Sequence, residues 1–108
     1  MATAAIKSLA DGQLAAAKGT IYTCLAATQT IVKRITLVNT NTTTETVNLY
    51  FKASGGTSRR IAPQSLQMPA KYMAVIDDEI TLEAADILEG DTTTAAKIDF
   101  CISGVENS

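Results

Sequence analysis

The sequence predicts an all-β protein: a single antiparallel β-sandwich, jelly-roll or immunoglobulin-like, with about eight short strands and an extended N-terminal arm. Three observations support this fold class. Runs rich in β-branched and aromatic residues recur along the chain, and turn-forming residues separate them at close spacing. No segment carries a convincing helical pattern. The 108 residues are enough for one domain with one core.

The first 18 residues are predicted to form the arm, and residues 19–108 the sandwich. The arm mixes small residues with Asp11 and Gly12 and carries too little apolar surface to hold a helix alone. We therefore expect an extended arm or a loosely paired edge strand. A neighbouring subunit would order such an arm, with Ile6 and Leu9 among the contacts.

The first half of the sandwich is predicted to contain three strands. Residues 19–25 form the first, and residues 31–39 and 45–53 form a hairpin around the threonine-rich turn 40–44. Side chains on a strand alternate between its faces, which predicts one dry face for this hairpin. That face carries Ile31, Ile35, Leu37, Val47, Leu49 and Phe51, although Val32 and Val38 make the alternation imperfect.

The second half contains shorter strands between strong turn signals. The paired glycines of segment 54–57 predict a tight turn, followed by a short strand at 58–62. The stretch between Pro63 and Pro69 belongs at a sheet edge or in a crossing loop, because proline has no backbone donor. Further apolar runs span 72–76, 80–82 and 87–91, with a turn at 83–86. The clearest alternating strand is 95–105.

Composition argues against most enzyme classes and against a polyanion partner. The chain has no histidine, which removes the commonest general base and metal ligand. Its net charge of −2 is too neutral to favour nucleic acid. No apolar run is long enough for a signal peptide or a membrane span. We expect no catalytic residue, no cofactor, no nucleic-acid partner and no membrane, and a cytosol-like compartment of synthesis.

Two other groups of residues are expected to be structural. Cys24 and Cys101 are predicted to be reduced, buried thiols, with a disulfide as the alternative if their strands are neighbours. The acidic residues do not follow the spacing of a known calcium loop, so we expect no metal site. These residues are Asp77, Asp78, Glu79, Glu83, Asp86, Glu89 and Asp91.

Partner contacts are the remaining site hypothesis. Arg59 and Arg60 follow the glycine-rich turn, where guanidinium groups would meet a partner's carboxylates in planar bidentate contacts. Tyrosine and methionine are favoured at interface cores, but in a chain rich in Ala and Thr they are equally suited to the interior. The residues with these two alternatives are Tyr22, Tyr50, Tyr72, Met68 and Met73, of which Tyr72 is a candidate contact.

Three segments resemble a family of small β-sandwich virion proteins of tailed bacteriophages and prophages: residues 6–14 (IKSLADGQL), 31–41 (IVKRITLVNTN) and 82–91 (LEAADILEGD). The resemblance implies a non-enzymatic virion protein, first a capsid decoration or cement protein that stabilises the shell. A tail, neck or fibre adaptor is the alternative. The implied partners are further copies, with a trimer favoured, and the major capsid protein or other virion proteins. The implied location is the virion, assembled in the bacterial cytoplasm.

A binding function outside virion assembly is a further alternative. The threonine-rich loops 40–44 and 92–94 would suit a receptor- or glycan-binding module. The absence of tryptophan counts against it, because sugar rings are usually held on aromatic platforms.

Overall fold

A computed structural model describes residues 4–108 as two antiparallel β-sheets packed against each other, with no helix in that range. The predicted all-β sandwich is confirmed. Its strands are β1 (Ala4–Gln13), β2 (Gly19–Thr23), β3 (Gln29–Asn39), β4 (Glu45–Lys52), β5 (Ser58–Arg60), β6 (Leu66–Met68), β7 (Met73–Ile76), β8 (Ile80–Leu82), β9 (Ile87–Thr92) and β10 (Ile98–Asn107).

The strand order is that of a jelly roll. Sheet A has the order β1-β10-β3, and both β7 and β8 pair with the far side of β3. Sheet B has the order β2-β9-β4, and both β5 and β6 pair with β4. If each split pair counts as one position, each sheet has four, which gives the eight strands of a jelly roll. Ten strands appear in place of about eight because the segments 61–65 and 77–79 interrupt two of these positions.

The predicted hairpin between residues 31–39 and 45–53 is wrong. The two segments do form strands, β3 and β4, but β3 lies in sheet A and β4 in sheet B. The connection 40–44 therefore carries the chain from one sheet to the other. Buried Asn39 holds this crossing, since its side-chain amide donates to the carbonyls of Met68 (2.9 Å) and Thr43 (3.0 Å).

The glycine-rich turn at 54–57 forms the hairpin between β4 and β5, in which Tyr50 lies opposite Arg60. Gly55 has φ of +72°, a left-handed conformation that glycine adopts without strain. The amide of Gly56 donates to the carbonyl of Ala53 (2.8 Å) and closes the turn. The local turn signal was therefore reliable here.

Most of the predicted N-terminal arm is strand β1, which pairs with β10 from Ala4 opposite Asn107 to Gln13 opposite Asp99. Of the two forms that we expected, the structure shows an edge strand of sheet A. Residues 1–3 of the predicted arm lie outside the described residues. Leu14, directly after β1, is buried in the core, and its amide donates to the carbonyl of Ile98 (2.9 Å).

A β-bulge in β3 corrects one residue of the predicted dry face. Arg34 lies opposite Ser103 and Val32 lies opposite Gly104, so Lys33 is an extra residue on β3. The bulge turns both Lys33 and Arg34 to solvent and reverses the alternation beyond them. Val32 is consequently buried, whereas Ile31, expected on the dry face, is on the exposed face.

The core lies between the two sheets, and β10 shows the predicted alternation, with Ile98, Phe100 and Ile102 pointing inward. Tyr22 and Met68 are core residues, while Met73 is exposed. The buried hydrophobic side chains are Leu14, Tyr22, Cys24, Val32, Ile35, Leu37, Val47, Leu49, Met68, Leu82, Leu88, Ile98, Phe100 and Ile102.

The two cysteines are free thiols, so the disulfide alternative does not apply. Cys24 is buried as expected and contacts the carbonyl of Thr28 at 3.3 Å. Cys101 is exposed, which corrects the expectation of two buried thiols. The reason is the alternation of β10, because Cys101 falls between the inward-facing Phe100 and Ile102.

A polar cluster joins the two sheets near the N-terminal end of β1. The carboxylate of Glu106 accepts from the Tyr22 hydroxyl (2.8 Å) and from the ammonium group of Lys7 (3.0 Å). The Tyr22 hydroxyl also contacts Thr30 Oγ1 (2.9 Å). Burial, together with the Glu106 carboxylate, raises the pKa of Tyr22 to about 12, so the hydroxyl keeps its proton. The bonds from Tyr22 and Lys7 lower the pKa of Glu106.

The lowered pKa of Glu106 predicts a loss of stability in acid. The ordinary pKa of this carboxyl group is 4.5, and its pKa in the folded state is lower. As the pH falls below about 4.5, the unfolded state therefore binds more protons than the folded state does. Above about pH 5.5 this group contributes its full stabilisation, so the free energy of unfolding should not change with pH on its account, and it should fall as the pH drops through 4.5. Urea titrations from pH 7 to pH 3 measure how steeply the free energy of unfolding depends on pH, and Glu106→Gln should make this dependence shallower. An unchanged slope in the variant would contradict the assignment.

Candidate interaction surface

The exposed large hydrophobic side chains lie mainly on one face of the sandwich. Ile6 is 92% exposed, and the other five are between 37% and 57% exposed. Directly paired residues of adjacent strands point to the same face of a sheet, which places four of the six on the outer face of sheet A. These four are Ile6, Ile31, Met73 and Val75. Of the other two, Tyr72 directly precedes β7, and Leu25 lies between β2 and β3.

The pairing register arranges these side chains in rows across sheet A. One row runs from Ile6 through Val105 to Ile31. A second runs from Asp11 through Cys101 and Thr36 to Val75, and a third from Gln13 through Asp99 and Val38 to Met73. We call this face the sheet A surface: Ile6, Ile31, Val38, Met73, Val75, Cys101 and Val105, with the polar residues between them.

The outer face of sheet B is chemically different. Asp91 accepts from Asn48 (2.8 Å) and from the Tyr50 hydroxyl (3.3 Å). Arg60 donates to Asn48 Oδ1 (2.6 Å), and its guanidinium carbon lies 5.1 Å from the centre of the Tyr50 ring. The ammonium group of Lys18 lies 4.8 Å from the same ring. Four polar side chains of this face, those of Asn48, Tyr50, Arg60 and Asp91, are therefore joined by hydrogen bonds.

The structure separates the residues predicted as partner contacts. Ile6 lies on the sheet A surface, and Tyr72 lies beside it before β7. Leu9 falls at the β1 bulge, where it is half-buried and packs against the core. Arg59 is exposed on β5, and Arg60 is part of the sheet B network. The predicted set does not form one site.

Several residues of the sheet A surface were missed by sequence reasoning. Val75 lies in the apolar run 72–76, for which no exposed face was predicted, and Ile31 was assigned to the dry face. The signal for Ile31 was present, since the adjacent polar residues Lys33 and Arg34 require a break in alternation. For Val75 the pairing with Thr36 on the outer face of sheet A explains the exposure.

Two kinds of feature are absent from the part of the chain that the structure describes: a metal-ligand cluster and a membrane-spanning helix. Residues 4–108 contain no group of three or more His, Cys, Asp or Glu side chains arranged to hold a metal ion. They also contain no helix long and apolar enough to cross a membrane. A cleft of about 350 Å³ lies between β1 and β2, and four of its nine lining residues are glycine or alanine. The lining residues include Gly12, Ala15, Gly19, Gly90 and Phe100.

No protein-family model and no curated protein matches the sequence. Solved structures match its fold. A chain from Bacillus endospore appendages, a family of disulfide-linked pili, has a TM-score of 0.59 at 18% identity, covering 100% of this chain and 90% of that one. A chain from the acid-stable capsid of Helicobacter pylori bacteriophage KHP30 has a TM-score of 0.52 at 10% identity, covering 100% and 94%.

A third match extends the fold to a larger protein. A chain of infectious bursal disease virus, Gx strain, has a TM-score of 0.53 at 13% identity. The match covers 99% of this chain but 32% of that chain, so this protein spans about a third of its length. At these identities the likeness establishes a shared jelly-roll fold, which is found in virus capsids and in a bacterial pilus.

Proposed function

We propose that this chain is a non-enzymatic structural protein of a virion, most specifically a decoration or cement protein that stabilises the capsid. The observation that carries the proposal is the contrast between the two outer faces. The sheet A surface exposes apolar side chains, whereas the polar groups of sheet B are bonded among themselves. A protein that seats one face on a shell and leaves the other in water needs this contrast.

The fold supports the proposal without deciding the position in the virion. Two of the matching folds come from virus particles, one of them from a bacteriophage capsid in which the matched chain has almost the same length. A tail, neck or fibre adaptor would use the same surface on another virion protein. The sequence resemblance favours a trimer as the unit that binds the shell, and the mass of the protein in solution tests that size.

A filament subunit is a second candidate, favoured by two observations. The fold matches a chain of the disulfide-linked pili, and Cys101 presents an exposed free thiol on the sheet A surface. Glycan binding has weaker support, because Tyr72 is the one largely exposed aromatic of the described residues beside the Thr40–Thr44 connection, and Tyr50 is engaged by Lys18 and Arg60.

Shell binding through the sheet A surface predicts a selective effect of Val75→Asp. Purified protein is sedimented with virus shells assembled without it, and the wild type should saturate them at a fixed ratio. A carboxylate placed in a dry contact costs about 2–3 kcal/mol, which weakens binding roughly 30- to 150-fold. Circular dichroism shows whether the variant remains folded.

The matched control is Gln67→Asp, which puts the same charge on the outer face of sheet B, where Gln67 lies opposite Thr46. It should bind as the wild type does. Equal loss in both variants, or no sedimentation of the wild type with shells, would refute the cement proposal. Filaments in electron micrographs of the oxidised protein would transfer support to the filament subunit.

A further inference from the structure

Strand β1 is the longest free strand edge in the described structure. It has ten residues, lies at the end of sheet A, and pairs on one side with β10. Among residues 4–108 no strand pairs with its other side. The main-chain donors and acceptors on that side are available to an extended partner, and such edges are a common basis of association.

The other outer strands are much less suited to this role. β2 has five residues, and β5, β6, β7 and β8 have three or four each. The β7–β8 side is interrupted by Asp77, Asp78 and Glu79, and inserted charge is one of the features that protect an edge. The β5–β6 side is interrupted around Pro63, which cannot donate to a ladder.

Small residues leave the free edge of β1 accessible. The cleft beside its C-terminal half is lined by Gly12, Ala15 and Gly19, which have little or no side chain. At the other half, the 92% exposed Ile6 stands on the outer face of the sheet. An added strand would cover this isoleucine, which the single chain leaves in water.

We infer that β1 pairs with β1 of a second copy in antiparallel orientation, which joins the two A sheets into one continuous sheet. Among residues 4–108 no other free edge matches β1 in length, so a second β1 is the best-fitting strand within the described part of the protein. The contact uses the same strand on both copies and closes with two-fold symmetry. It predicts pairs of chains in place of the trimer favoured by the sequence resemblance.

The charges of β1 favour antiparallel over parallel pairing. Lys7 and Asp11 are its two charged residues, and they point to opposite faces of sheet A: Lys7 pairs with buried Gly104 and bonds to Glu106, whereas Asp11 pairs with exposed Cys101. Parallel in-register pairing would place each charge directly opposite its own copy, which destabilises neighbouring strands. Antiparallel pairing centred on Ser8 places neither charge opposite its copy.

Ser8 provides a sharp test because it lies near the middle of β1 and is exposed. In the antiparallel pair the two copies of Ser8 approach each other across the symmetry axis. Ser8→Asp and Ser8→Lys each place two like charges there, and each should weaken the pair about fivefold. An equimolar mixture of the two variants should recover the wild-type dissociation constant or better, since the charges are then opposite.

Ser103→Asp is the matched control. Ser103 lies directly opposite Ser8 on β10 and is also exposed, but it is one strand away from the edge. It should leave an edge-to-edge pair intact and disrupt a contact made through the face of sheet A. Native mass spectrometry and sedimentation equilibrium of the full chain measure mass and dissociation constant for all four proteins.

The inference is supported by a wild-type dimer that is weakened by each Ser8 variant, recovered by mixing, and unaffected by Ser103→Asp. A monomer throughout, a trimer, or a dimer that responds to Ser103→Asp but not to Ser8 would overturn it. The outcome is separate from the cement proposal, because dimerisation is measured without shells. A dimer that ignores shells would refute only the proposed function.

Discussion

Gly104→Ala is expected to lower the free energy of unfolding by about 3 kcal/mol or more. A Cβ atom at this position would lie 2.0 Å from the backbone oxygen of Ile31 and 3.0 Å from its carbonyl carbon. The atoms in the way belong to the backbone of the neighbouring strand, so they cannot rotate aside. The β3–β10 bulge brings the two main chains this close, and relieving the overlap would shift the centre of sheet A.

Urea unfolding followed by circular dichroism measures this change, with Gly19→Ala as the matched control. At Gly19 the nearest atom to an added Cβ is the Ala17 carbonyl oxygen, at an ordinary contact distance of 3.8 Å. The control should therefore change stability by about 0.5 kcal/mol or less. Similar losses at both positions would mean that a general cost of adding a side chain in these strands, and not close approach at the bulge, governs the effect.

Glu45→Ala is expected to cost about 3 kcal/mol, because its carboxylate joins two connections between the sheets. Glu45 is buried at the start of β4 and accepts from the Thr94 amide (2.8 Å) and from the Asn41 side chain (3.0 Å). Thr92 Oγ1 also donates to it (3.2 Å). Removing the carboxylate would leave a buried space and donors without their acceptor.

The ionised state of Glu45 follows from the same contacts. Burial alone would raise the pKa of this carboxyl, but the hydrogen bonds from Asn41, Thr94 and Thr92 together outweigh burial and lower it. Glu45→Gln keeps the shape but turns an amide donor toward existing donors, so it should cost about 1–2 kcal/mol. Like Glu106, Glu45 should contribute to the stability lost as the pH falls through 4.5.

Glu79→Ala is the control for this pair of variants. Glu79 forms an ion pair with Lys33, but both side chains are at least half exposed. Exposed ion pairs contribute little, so a change of about 0.5 kcal/mol or less is expected. Chemical denaturation at pH 7 compares the three proteins. If Glu45→Ala were as stable as Glu79→Ala, the carboxylate would not be holding the two connections.

Local sequence patterns predicted what depends on local structure. The alternation of β10, the glycine turn at 54–57 and the turn at 83–86 are each encoded by a few neighbouring residues, and each is present. The strands that pair with β3 were not predicted. The turn 40–44 has the composition of a hairpin loop, and this composition does not distinguish a connection within one sheet from a connection between two sheets. The neighbours of β3 in sheet A are β10, β7 and β8, which come much later in the chain.

The candidate surface also combines features that local sequence predicts with features that depend on distant strand pairing. Ile6 was predicted as a contact because the N-terminal segment had no obvious core to pack against, and it is exposed. Arg60 was predicted from its chemistry alone, but the structure pairs it with Asn48 and Tyr50. Which face of the sandwich is apolar depends on the β3 bulge and on the order of the strands in sheet A. Neither follows from the separate segments.

The position of β10 has a consequence for the order in which the protein folds during synthesis. β10 lies between β1 and β3, so β1 acquires its partner in sheet A only after β10 has been made. Pairs such as Ala4 with Asn107 join residues that are far apart in the sequence, and contacts of this kind make folding slow. Until β10 has been synthesised, β1 is open on both sides and exposed to aggregation or to a chaperone. Sheet A can therefore be completed only after the ribosome has reached the end of β10.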